Sequence, residues 1–205
     1  DATLFNRLAS AVLYPSPELR AESKVISRNR RGQSGLWGWG ISGDLPVVLL
    51  RITSEAGIGS VTTLIQAHRY WRQKGLKVDL VIMNDSPGGY QQGLQNQIMD
   101  LIYAGSEASL LDKTGGLFVR NGEHLSAEDK QLLLSVACLY LDDRAGDINE
   151  QLNQRIQTSK PRTRAIIPYR EPGSNQHTDW TPETHLLRHF NGYGGFSQDG
   201  REYQI

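Results

Sequence analysis

This sequence is poor in sulfur, in net charge and in long apolar stretches, and each shortage removes a class of function. Its single cysteine, Cys138, rules out an intrachain disulfide, and nothing marks the chain for an oxidising compartment. Cys138 lies within the apolar pattern LLLSVACLYL, which reads as a helix, so a small core residue is expected there. It has no basic neighbour in sequence that would activate it as a nucleophile. Lys plus Arg (22) equals Asp plus Glu (22), which leaves no overall field to attract nucleic acid or an anionic membrane. No apolar run approaches the roughly 18 residues that span a bilayer, and no basic-then-apolar leader opens the chain. A soluble segment is expected, with no nucleic-acid partner and no direct membrane contact.

What remains is ordinary globular material. A hydrophobic share of 38% with 21% charged residues over 205 positions suits one generous domain, or a domain with arms. Leu4, Phe5, Leu8, Ala11 and Val12 recur at helical spacing, and Pro15 and Pro17 stop that helix. The chain begins inside this amphipathic helix and stops at REYQI, which reads as the start of a strand. A slice of a longer protein is expected.

The middle of the chain is the most legible part. Residues 46–52 (PVVLLRI), 78–83 (VDLVIM) and 116–120 (GLFVR) are short apolar runs of the kind found in strands covered on both faces. Between them lie helical patterns over 58–75, closed by Lys74-Gly75, and over 86–105. A third helix starts at an N-cap Ser126 with an acidic first turn and runs through KQLLLSVACLYLDD. The order β-α-β-α-β-α makes the strands parallel and puts helices on both faces. The fold class is α/β, a small three-layer α/β/α sandwich with a parallel sheet of Rossmann-like or flavodoxin-like type. Three parts are expected: a helical arm and Gly/Trp lead-in loop at 1–43, an α/β core at 44–145, and an extended connector at 146–205. The connector would carry a short helix near 181–187 and lead into a following β-sandwich module.

The most distinctive string is GQSGLWGWGISGD at 32–44. Trp37 and Trp39 could stack on sugar rings, with Arg30, Arg31, Gln33 and Asp44 supplying hydrogen bonds to hydroxyls. The same residues serve equally to turn the chain tightly and to staple the N-terminal arm to the core. A phosphate cradle fits worse, because neither G-x-x-x-x-G-K-[ST] nor a complete G-x-G-x-x-G follows a strand. The loops at 54–60 and 84–89 are better placed for an anion, yet Glu55 and Asp85 would repel it.

Other chemistry has little support. His68, on a helix beside Tyr70 and Trp71, reads as a partly buried, hydrogen-bonded histidine. His185, His189 and Glu183 make a zinc-like trio without an H-E-x-x-H pattern. Asp142, Asp143 and Asp147 read as a solvated carboxylate cluster at a helix end. The basic pieces at 28–31 and 160–164 are either docking surfaces or plain loops. No metal and no cofactor is implied.

Four stretches together carry a resemblance: LFNRLASAVLYPSPELR, RNRRGQSGLWGWGISGDLPVVLLRI, HRYWRQKGLKVDLVIMN and FNGYGGFSQDGREYQI. They resemble a region of the bacterial cyclic β-1,2-glucan synthases, large inner-membrane proteins. Those proteins join glycosyltransferase and cyclising modules to a part similar to glycoside phosphorylases of glycoside hydrolase family 94. The resemblance implies a cytoplasmic segment between two β-sandwich modules of that part. Its parent would transfer glucose from UDP-glucose into cyclic β-1,2-glucan and trim it with phosphate. No catalytic position of the family maps onto these residues. The implied role is a non-catalytic module whose partners are other modules of the same polypeptide and, through the tryptophan loop, glucan. Two rivals stay open: a free-standing small-molecule or nucleotide-binding enzyme with its site around 53–55 and 84–89, and a pure scaffold. Apolar faces on the first helix and around 190–196 predict self-association of the isolated chain.

Overall fold

The computed structural model describes residues 2–88, 91–158 and 187–205, apart from the side chains of Gln91 and of residues 154–158. The chain divides into two compact units, residues 1–162 and 163–205.

The first unit is built on the three expected strands plus one more. β1 (Val47–Ile52), β2 (Asp79–Asn84), β3 (Leu117–Asn121) and β4 (Leu139–Asp142) form one all-parallel sheet in the order β3-β2-β1-β4. Register runs from Val47↔Asp79 to Ile52↔Asn84 between β1 and β2, and from Val48↔Leu139 to Arg51↔Asp142 between β1 and β4. The fold class read from the sequence is therefore the observed one, and this strand order is that of a Rossmann half. The strands read as continuous apolar runs because both faces are covered. Val48, Leu50, Ile52, Leu80, Ile82, Leu139 and Leu141 face one core; Val47, Leu49, Val81, Met83 and Phe118 face the other.

Helices fill those two sides. α1 (Ala2–Leu13), α4 (Ile58–Gln73), α5 (Gln91–Tyr103) and α7 (Ile148–Thr158) contribute to the first core. The short helices α2 (Ser23–Arg28) and α3 (Ser34–Trp37) pack against α6 (Ala127–Val136) on the second side, where Leu36, Leu132 and Leu133 are buried. α4 buries Val61, Leu64, Ile65, His68 and Trp71, the stripe its spacing predicts. α6 starts where expected, with the Ser126 hydroxyl accepting from the Asp129 amide at 3.1 Å.

Four readings need correction. The helix expected through LLLSVACLYLDD ends at Val136, and the chain turns at Ala137 (ψ 122°) into strand β4. Cys138 therefore lies at the start of that edge strand, its amide donating to Val47 O at 2.9 Å. Such apolar runs do not reveal their period, and β4 has only 4 residues to announce itself. The stretch 148–158, read as part of an extended connector, is helix α7. Its Ile148, Leu152 and Gln151 are buried, and Gln151 pairs with the backbone of the edge strand: Nε2 to Asp142 O at 2.9 Å, Asp142 N to Oε1 at 3.1 Å. The apolar face of α1 does not wait for a partner. Leu8, Ala11 and Val12 are buried, and the Trp71 indole N–H donates to Phe5 O at 2.8 Å. Asp142 and Asp143 sit at a strand end, engaged as described below, and are not a solvated cluster at a helix end.

In the second unit, β5 (Gly195–Phe196) pairs antiparallel with β6 (Tyr203–Gln204), and Arg188 bridges to Phe196. Phe196 and Tyr203 meet edge-on at 5.2 Å, while Tyr193 and Ile205 are exposed. The helix expected near 181–187, the basic stretch 160–164, and the pair Glu183 and His185 lie, apart from Leu187, outside the described residues. Among the described residues no helix is long and apolar enough to cross a membrane.

Candidate functional site

In an open parallel sheet, ligands settle at the carboxyl ends of the strands, above all where neighbouring strands connect in opposite directions. Here that point lies between β1 and β4. The backbone amides just past β1 are taken by the chain itself. The Asp143 carboxylate, just past β4, accepts from Thr53 N at 2.8 Å, Ser54 N at 3.1 Å and the Thr53 hydroxyl at 2.9 Å. Gly57 is required beside it, since a Cβ there would come within 2.8 Å of Asp143 and 2.9 Å of Ile52. A crevice of about 380 Å³ remains alongside, lined by Gly57, Gly59, Ser60, Asp143, Asp147 and Asn149 among others.

One layer away, the strand tips carry an ion-pair network. Arg51, the lone charge in strand β1, pairs with Asp85 at 2.5 Å and Asp142 at 3.6 Å. Lys130 from α6 meets Asp85 at 2.7 Å, and Arg144 meets Asp142 at 2.8 Å. The Tyr140 hydroxyl also donates to Asp142, at 3.0 Å. Burial alone would push the Asp142 carboxyl up, but hydrogen bonds from Arg144 and Tyr140 outweigh it and hold the group at about 2. Burial and the neighbouring Asp142 charge push Tyr140 up to about 12. Burial works against the Asp85 charge too, yet Lys130 and Arg51 hold its carboxyl below the ordinary range. Asp85 is thus neutralised by two cations and is not the free repelling charge expected from sequence. Each charged member of this network lies against an opposite charge, which suits a lock on the sheet end better than a reacting centre. Arg51 was the available signal: a charge inside PVVLLRI requires a partner once that strand is covered on both faces.

Between the ends of β1 and β2, where the sequence placed a rival site, lies a smaller cavity of about 270 Å³. Thr53, Ser54, Glu55, Ser86, Pro87 and Leu94 line it. Ser86 is 3% exposed, and its Oγ makes no hydrogen bond among the described residues.

The lead-in loop forms a second locus. Positive φ at Gly40 (74°) and Gly43 (76°) lets the chain reverse twice between α3 and β1. The loop gathers three of the residues singled out in the sequence. Gln33 Nε2 donates to Ser42 O at 2.9 Å and to Asp44 Oδ1 at 3.0 Å, and the Trp37 indole donates to the same Ser42 O at 3.3 Å. Trp37 is 64% exposed beside them. Trp39 is partly buried, packs against the core, and accepts at its carbonyl from Arg120 at 3.2 Å. Arg31 is drawn away to Glu128 (3.0 Å) and to Asp129 on α6, while Arg30 stays exposed. The loop both turns and staples the chain, and it leaves one tryptophan face to solvent.

Three further titratable groups, His68, Asp79 and Cys138, sit within the framework of the fold. His68 Nε2 meets Val78 O at 2.9 Å in full burial, which lowers its proton affinity. Burial likewise pushes the Asp79 carboxyl and the Cys138 thiol up. Among the described residues no cluster of three or more His, Cys, Asp or Glu could hold a metal ion.

No protein-family model matches the chain. Among curated proteins it is similar to "Cyclic beta-(1,2)-glucan synthase NdvB" of Rhizobium meliloti (strain 1021), with 27% identity over 214 residues. That match takes in 100% of this chain but 8% of the relative, so the chain spans a small share of that protein's length. The resemblance carried by the four quoted stretches thus holds from end to end: this chain is similar to one segment of a cyclic β-(1,2)-glucan synthase.

Proposed function

We propose that this chain is a non-catalytic module of a cyclic β-1,2-glucan synthase, in which the parent transfers glucose from UDP-glucose and a phosphorylase-like part of glycoside hydrolase family 94 type trims the product. It holds neighbouring modules of the same polypeptide in place on the cytoplasmic side of the inner membrane. The arm at 1–43 and the segment from 146 to 205 connect the α/β core to what flanks it. The tryptophan corner of Trp37, Gln33 and Asp44 touches passing glucan, with Arg30, Arg31 and Trp39 at its margin.

One observation carries the non-catalytic part. The anion-binding position at the opposed ends of β1 and β4 is filled by the chain's own Asp143, and the adjoining charges are paired off. A nucleotide would need those amides for its phosphates.

The test is a full-length cyclic glucan synthase in which this chain replaces the matching segment. Converting Lys130→Met and Asp85→Asn together is expected to lower the melting temperature and leave turnover of the folded enzyme unchanged. A fall in turnover of about a hundredfold or more at an unaltered melting temperature would make the network catalytic and end this reading.

A further inference from the structure

We propose that the crevice between the carboxyl ends of β1 and β4 binds a neutral β-1,2-linked glucose disaccharide unit, held by Ser60, Asn149 and the open oxygen of Asp147. The inference rests on the glucan-module reading above and names a contact that reading does not need.

Place, size and charge each narrow the occupant. The crevice lies where neighbouring strands lead off in opposite directions, the position at which open parallel sheets take ligands. At about 380 Å³ it falls at the lower end of the range for small-molecule sites, with room for about two sugar rings. No Lys or Arg lines it, and it carries two carboxylates, Asp143 and Asp147. Phosphates and nucleotides are therefore repelled. Leu4 from α1, Ala56 and Gly59 bring carbon surface up beside the polar groups. A glucosyl ring presents the matching pattern, apolar C–H faces bounded by hydroxyls.

Commitment of the polar groups decides which ones serve the ligand. Asp143 is taken up by Thr53 and Ser54, and the Thr63 hydroxyl donates to Gly59 O at 2.9 Å. Asp147 commits Oδ1 to the Glu150 amide at 2.8 Å, and its Oδ2 stays open. The Ser60 hydroxyl and the Asn149 side-chain amide line the crevice and have no hydrogen-bond partner among the described residues. Together these groups offer both donors and acceptors, as adjacent sugar hydroxyls require. Gly59 supports the same occupant. Its φ is not positive, and a Cβ there would meet nothing within 4 Å. Neither strain nor packing within the chain calls for glycine in this turn of α4, where alanine would hold the helix better. Close approach of a ligand to the backbone does call for it. The cavity between β1 and β2 does not compete, because its lining is mainly apolar and the Ser86 hydroxyl beside it is enclosed.

The experiment is a titration of the isotopically labelled 205-residue chain, followed by amide NMR, with three separate probes: sophorose (the β-1,2-linked glucose disaccharide), UDP-glucose and inorganic phosphate. Sophorose is expected to shift the resonances of Gly59, Ser60, Asp147 and Asn149. Asn149→Ala should weaken that binding about tenfold at an unchanged melting temperature, because the side chain bonds nothing within the described chain. Gly59→Leu adds a side chain beside the crevice and should weaken binding as much, with the melting temperature equal or higher. Unchanged affinity in either variant overturns the proposal, as does the absence of shifts at these residues. If sophorose shifts only Trp37 and Gln33, the crevice site fails and the glucan-module reading survives. If UDP-glucose or phosphate shifts Thr53 and Ser54 and sophorose shifts nothing, both readings fall.

Discussion

Asp143 reaches back across the sheet to Thr53, its carboxylate accepting from both the amide (2.8 Å) and the hydroxyl (2.9 Å) of that residue. This contact joins the ends of β1 and β4, whose outgoing connections lie 90 residues apart in sequence. It places a protein carboxylate where related sheets place a phosphate.

Asp143→Ala should therefore have two consequences. Freeing two amides and a hydroxyl in this half-exposed place should destabilise the chain by about 1 kcal/mol, near the lower end for lost partners. The vacated amides should also acquire weak affinity for inorganic phosphate that the parent chain lacks. Thermal melting checks the first and phosphate titration by NMR the second.

Acid should weaken the sheet end in a defined window. The folded Asp142 carboxyl titrates at about 2, below its ordinary value. A depressed carboxyl adds stability above its unfolded pKa and loses it as pH falls through the folded value. The loss should run from about pH 4 down to about pH 2 and amount to roughly 1–2 kcal/mol, discounted because its partner Arg144 is largely exposed. Denaturant unfolding across that range should flatten in Asp142→Asn.

Asp79 has the opposite sign. Its carboxyl is fully buried, Oδ1 accepts from Gly115 N at 2.6 Å, and Oδ2 has no partner among the described residues. Burial raises its pKa, so the folded state loses stability as pH climbs above the unfolded value near 4. Asp79→Asn should raise the melting temperature by about 2–4 °C at pH 8 and by less at pH 4.

The two loop tryptophans should separate cleanly. Trp37→Ala removes a largely exposed ring and should change stability by less than about 0.5 kcal/mol, while abolishing any loop contact with β-1,2-glucan. Trp39→Ala strips a ring packed on the second core and should cost about 2–3 kcal/mol. Melting temperature paired with sugar titration distinguishes the two roles.

Trp71→Ala tests how α1 is held. It deletes the indole bonded to Phe5 O and a fully buried ring, at a cost of about 3–5 kcal/mol. Hydrogen exchange should speed up over residues 2–13 ahead of the sheet. Self-association should appear in this variant, because Leu8 and Val12 then lose their cover.

The sequence by itself determined the parallel α/β class. PVVLLRI, VDLVIM and GLFVR are short apolar runs separated by helices long enough only for crossovers, and chain chirality leaves few ways to close that pattern. It also marked the tryptophan loop and the family resemblance, since Gly and Trp at fixed positions are local signals. Tertiary structure alone decided the rest. LYLD became a strand because an open edge of β1 was available to it, and a polar, Gln-rich stretch became helix α7 because Gln151 satisfies that new edge. The Asp143–Thr53 contact, the Arg51 network and the unpaired Ser86 hydroxyl all join residues distant in the chain or depend on neighbours that only the fold assembles. Burial turns such polar groups from solvated side chains into paired locks or enclosed, unpaired atoms, and burial is not written in local sequence.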